Sequence, residues 1–126
     1  MIETVDKTKN SDVYYYRIHV SYEIPYNVLD SEDEDIIRAK EILYNRLSNS
    51  IPEKYEKFSV KLVLSQLKDS LNYLVTYTSF FRSPEGLPME EYLEARDIKT
   101  KVETEIEEFF DSIDCDYQKL NIKSFN

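Results

Sequence analysis

The run VYYYRIHVSYEI, residues 13 to 24, alternates apolar and polar positions along its whole length. Successive side chains of an extended chain point to opposite sides, so Tyr14, Tyr16, Ile18, Val20, Tyr22 and Ile24 share one face, and Tyr15, Arg17, His19, Ser21 and Glu23 share the other. The pattern predicts a long strand packed on one side and open on the other, ended by Pro25, which cannot donate to a continuing ladder. The strand is therefore half-buried, and one face of its sheet needs cover.

Two helical stripes supply that cover. In DSEDEDIIRAKEILYNRLSNSIP, Ser31 and Glu34 have capping-box spacing, and Ile36, Leu43, Leu47 and Ile51 form one apolar stripe before Pro52. From Met89 a longer stripe runs through Tyr92, Ala95, Ile98, Val102, Ile106, Phe109 and Ile113. Between the helices, KFSVKLVLS sets Phe58, Val60, Leu62 and Leu64 opposite Ser59, Lys61, Val63 and Ser65. LNYLVTYTSFF completes an antiparallel hairpin whose outward set is either Leu74, Thr76 and Phe80 or Tyr73, Val75 and Tyr77. Pro84 and Gly86 mark a turn, and YQKLNIKSF reads as a closing strand with Leu120 and Ile122 inward and Tyr117, Lys119, Asn121 and Lys123 outward. Residues 1–12 are polar and aperiodic, a flexible N-terminal arm preceding a single domain over residues 13–126.

The order β-α-β-β-α-β resembles the ferredoxin-like fold, an α+β sandwich in which a four-stranded antiparallel sheet carries two helices on one face. The resemblance is one of topology. It implies an architecture and no particular activity.

Several function classes drop out on composition. With Gly86 as its one glycine the chain cannot build a glycine-rich phosphate loop or a dinucleotide fingerprint. A formal charge of -9 opposes general affinity for nucleic acid, whereas eleven tyrosines and six phenylalanines are too many for a disordered acidic chain. One cysteine, Cys115, allows no internal disulfide and suits a reducing compartment. The polar start MIETVDKTKNSD lacks a signal h-region, so the expected setting is the cytoplasm, with no membrane association. Scarce glycine and alanine beside abundant Lys, Ile, Asn and Tyr suit AT-rich coding, as in low-GC bacteria, some archaea and their viruses; for a viral chain that setting is the host cytoplasm. No cofactor or metal is expected: DSEDED begins like a calcium loop, but its sixth position from Asp30 is Asp35 where glycine is required.

Two groups of residues remain as candidates. The second helix carries Glu103, Glu107, Asp111 and Asp114, with Glu108 beside them, on the side read as opposite its core stripe. Acids spaced this way repel one another and oppose the negative end of the helix dipole, so stability does not select them. A solvated face is the ordinary explanation. The functional one is a non-catalytic acidic interaction module, an inhibitor or immunity-type binder, virus-encoded anti-defence proteins included, that engages a basic, nucleic-acid-binding partner protein. The open sheet face offers Tyr15, Arg17, His19, Lys61 and Lys119 as ligand or homodimer contacts. There His19 would be the acid or base of a dimeric α/β-barrel type enzyme or ligand-binding protein, although an outward strand histidine is ordinarily plain surface. The third reading is single-stranded nucleic acid stacked on sheet aromatics, without the strand motif common among RNA-binding domains.

Overall fold

The structure, a computed structural model, describes residues 5–10, 13–68, 71–82 and 89–120; at 5–10, 13–14 and 89–92 it describes the backbone alone. The elements in order are β1 (Val5–Asn10), β2 (Val13–Ile24), α1 (Glu34–Ser48), β3 (Glu56–Gln66), β4 (Tyr73–Arg82), α2 (Met89–Ser112) and β5 (Gln118–Leu120). All strands join one open antiparallel sheet in the order β1-β2-β4-β3, and β5 also pairs with β2. Ser21 opposes Thr76 on one side and Leu120 on the other, so β5 continues the same edge of β2 that β1 begins. The class is α+β.

β2 obeys its alternation. Tyr16, Ile18, Val20, Tyr22 and Ile24 are buried, and the register sets them beside Val75, Tyr77 and Phe81 of β4. This fixes the phase that the sequence leaves open: Tyr73, Val75 and Tyr77 face the helices, and Leu74, Thr76 and Phe80 face outward. Leu43, Leu47 and Ile51 at α1, and Ala95, Ile98, Val102, Ile106, Phe109 and Phe110 of α2, pack with these strands into one core. At ~25 cal/mol per Å² of apolar area removed from water, this shared burial is the main term that holds the layers together. Tyr16, Tyr55 and Phe81 meet within it at centroid distances of 5.4 and 5.2 Å about Phe81.

Four sequence expectations change. Residues 5–10, read as part of a loose arm, form β1 and pair with Val13–Ile18, which makes five strands in place of four. The N-cap of α1 is Asp33, whose carboxylate accepts from the Asp35 N–H at 2.8 Å; Ser31 Oγ instead accepts from the Asp33 N–H at 3.1 Å. A bulge between Lys57 and Ser59 keeps Phe58 exposed on the open side while Val60, Leu62 and Leu64 pack toward the core, so Phe58 leaves the inward set. The closing strand has the opposite phase: Lys119 is paired with Tyr22, Tyr117 packs against the core, and Leu120 is paired with the outward Ser21. The Pro84–Gly86 turn, Asn121, Ile122 and Lys123 lie outside the described residues.

Candidate functional site

The acids of α2 part to two sides of the helix. Phe110 is fully buried against Tyr22 and Tyr117, at ring distances of 5.6 and 5.2 Å, and this widens the core stripe toward β2 and β5. Glu103 and Glu107 follow that widened edge. Glu103 is only 8% exposed and forms ion pairs with Lys119 and, at 4.0 Å, with Lys99. Glu107 accepts a hydrogen bond from the Tyr22 hydroxyl at 2.7 Å and a longer one from Tyr117 at 3.4 Å. Burial, reinforced by Glu107, raises the ionisation of both phenols above the usual 10.0, so both remain neutral donors at ordinary pH. Glu103 and Glu107 therefore dock β5 on the sheet, and the column read as solvent-facing loses two of its members to internal contacts.

The other flank of α2 faces α1 across a groove of about 650 Å³. Ile36, Ala39, Ile42, Leu43, Phe109 and Ile113 give it an apolar lining, and Asp33, Asp35, Glu105, Glu108 and Asp114 surround this with acids. Ile42 is 48% exposed there, a large aliphatic side chain left in water. Arg46 bridges Glu105 at 3.2 Å and Glu108 at 3.5 Å, while Arg38 is the second cation of the lining. Asp111 is exposed outside the lining.

Asp114 ends α2 in the left-handed region, with φ 53°, and lets the Cys115 N–H reach the Phe110 carbonyl at 2.9 Å. Glycine or asparagine is the usual residue at such a stop; here an acid occupies it, at a helix end whose last turn holds no basic residue. Cys115 itself is buried, and burial pushes its thiol pKa up. It is a poor nucleophile in that state.

Across the sheet, Tyr15, Phe58 and Phe80 form a mutual cluster with centroid distances of 5.2 to 6.2 Å. The Arg17 guanidinium lies 5.2 Å over Phe80 and that of Arg82 lies 5.8 Å over Phe58, within the range of cation–π attraction. His19 and Lys61 flank Thr78 in the ladder, one on each side. The His19 Nε2 is 3.4 Å from Ser21 Oγ, which is 3.2 Å from Thr76 Oγ1, so its described contact is a chain of hydroxyls rather than a carboxylate. Lys119, expected on this face, belongs to the helix side.

Compared with protein-family models, curated proteins and solved structures, the chain finds no significant match. Function must therefore be argued from these two surfaces alone. Among the described residues no group of three or more His, Cys, Asp or Glu is arranged to hold a metal ion, and no helix is long and apolar enough to cross a membrane.

Sequence reasoning missed Glu105, Asp33, Asp35 and the exposed Ile42 as one group. Ile42 lies between Ile36 and Leu43 of the core stripe but is no part of it, and that is the signal that could have found it.

Proposed function

We propose that the chain is a non-catalytic acidic interaction module of ferredoxin-like architecture, with β1 added at the sheet edge, and that it captures a basic amphipathic segment of a partner protein between α1 and α2. Support for the architecture comes from the strand order β5-β2-β4-β3, in which each strand is antiparallel to its neighbour. The observation that carries the binding reading is the groove itself: an apolar lining that leaves Ile42 48% exposed, surrounded by five acids and two arginines. A partner segment with leucine-like side chains on one side and lysine or arginine on the other satisfies both features at once. Such segments are common on nucleic-acid-binding surfaces, where occupying the basic residues would block the natural ligand. That is how an inhibitor or immunity protein works.

The groove's own chemistry supports the same reading. One exposed guanidinium, that of Arg46, holds Glu105, whose side chain is mostly covered, and the exposed Glu108; the exposed pair contributes only ~0 to 1 kcal/mol. An incoming cation can displace the guanidinium from Glu108 at little cost. Asp114 adds a negative charge where backbone and dipole both favour another residue.

The test is fluorescence anisotropy with a labelled amphipathic peptide of leucine and lysine, beside one carrying glutamate at each lysine position. The lysine peptide is expected to bind saturably and the glutamate peptide to fail. Glu108→Lys with Asp114→Lys, both at exposed positions, should weaken binding at least about tenfold, the loss of two charge contacts. Equal binding of the two peptides, or no response to the double reversal, would refute the reading.

A further inference from the structure

We infer that the groove between α1 and α2 is directional: the segment it takes carries its lysines and arginines gathered at one end, and that end lies at the start of α1. This rests on the groove's capture of a basic amphipathic segment and narrows which segment fits. Two acidic runs far apart in sequence, DSEDED at residues 30–35 and DSIDCD at 111–116, meet at one end of the groove. They meet because the helices run in opposite directions. Arg46, late in α1, bridges Glu105, and Lys54, beyond α1, bridges Glu94 near the start of α2. Asp33 and Asp35 therefore lie at the same end as Ile113 and Asp114.

Charge is unevenly placed along the groove. At the first end Asp33, Asp35 and Asp114 line it, and Arg38 is the cation of that half. Glu32, Glu34, Asp111 and Asp116, all exposed, flank these acids in their two runs, and Lys40 is engaged by the Leu29 carbonyl at 2.7 Å. At the other end Arg46 holds Glu105 and Glu108, and Lys101, exposed one turn before Glu105, adds a second cation. That end is balanced and the first is acidic. Helix dipoles leave the difference in place, since the positive start of α1 and the negative end of α2 adjoin at the first end and offset each other. Asp35 and Arg46 are about 17 Å apart along α1 at ~1.5 Å per residue, roughly twice the ~8 Å Debye length at physiological salt. A ligand thus meets two electrically separate ends.

The acids of the first end are also held ready. The Asp33 carboxylate accepts from the Asp35 N–H at 2.8 Å, and the backbone of Asp114 is fixed at φ 53° by the Cys115 N–H bond to the Phe110 carbonyl. Both side chains are short, so meeting a cation there costs little ordering. Among the described residues Asp33, Asp35 and Asp114 form no ion pair, whereas a lysine arriving at the other end must first displace Arg46. A divalent cation is the competing occupant, yet among the described residues no group of three or more His, Cys, Asp or Glu is arranged to hold one.

The experiment titrates the full 15N-labelled chain with helical leucine–lysine peptides of one composition. Two have their lysines gathered in the first or the last turn, a third has them spread along its polar side, and each carries a nitroxide at one end or the other. Both gathered peptides are expected to bind at least about fivefold more tightly than the spread one. A nitroxide at the lysine end should broaden the amides of Asp35 and Asp114 and spare Arg46; at the lysine-free end the pattern should reverse. Asp35→Lys should weaken the gathered peptides at least about fivefold, and Glu41→Lys, the same charge change at an exposed position of α1 outside the groove, by less than about twofold. Circular dichroism verifies that both variants fold. Equal affinities, with either label broadening both ends, would overturn the direction and leave capture standing. Saturable shifts at Asp33, Asp35 and Asp114 with calcium alone, and no preference among the peptides, would assign the acids to a metal instead. If no lysine peptide binds, capture itself fails and the direction falls with it.

Discussion

Tyr22 links the core to the acids of α2. Its ring is fully buried against Phe110, and its hydroxyl donates to Glu107 at 2.7 Å. A hydrogen bond to a charged acceptor contributes ~1.5 to 3 kcal/mol, and Glu107 is only partly buried, so water replaces some of the loss when the hydroxyl is removed. Tyr22→Phe is therefore expected to cost about 1 to 2 kcal/mol in urea unfolding. The pH dependence has a definite sign. Burial foremost, then Glu107, raise the Tyr22 phenol above its usual 10.0, so its stabilisation is complete below pH 10 and is lost as the pH rises beyond that. Tyr77, raised by burial, adds to the same loss. The urea midpoint should fall above pH 10, and the fall should be shallower in Tyr22→Phe; equal slopes in the two proteins would contradict this role for the hydroxyl.

At the scale of elements, the end of α2 is where stability and binding are expected to diverge. Asn tolerates the left-handed backbone of residue 114 as well as Asp does, and it removes a charge that opposes the helix dipole. Asp114→Asn should therefore raise stability by ~0.3 to 1 kcal/mol while weakening capture of the lysine peptide. Loss of stability with unchanged capture would make the acid a structural residue only. The strands differ in how far their sequences disclose them. β2 is legible because each of its described inward residues is apolar and a single phase satisfies them all. β1, VDKTKN, has one apolar residue and no alternation; backbone pairing along the edge of β2 makes it a strand, and no side-chain pattern announces that. β5 takes its phase from Tyr117 packing on Phe110 and Lys119 pairing with Glu103, tertiary contacts that the alternation of Leu120 and Ile122 in the sequence does not disclose. The acids of α2 divide for a related reason: Phe110 lies outside the periodic stripe, yet its burial turns Glu103 and Glu107 toward β5. The hairpin of β3 and β4 and the apolar stripes of both helices needed no such tertiary information.

On the scale of the whole molecule, the two sides of one sheet present different surfaces. The helix layer presents an acid-lined apolar groove, and the strand layer presents aromatics with arginines over them. A uniform acidic coat would keep the chain soluble equally well, so solubility does not account for the difference. Binding on the helix side is the central claim, and amide chemical-shift mapping reads it most directly. Uniformly 15N-labelled protein titrated with the leucine–lysine peptide should show its largest shifts at Ile36, Ile42, Glu105, Glu108 and Asp114, with little change at Arg17, Lys61 and Thr78. Shifts concentrated on the sheet face, or none at all with peptide in excess, would contradict the claim.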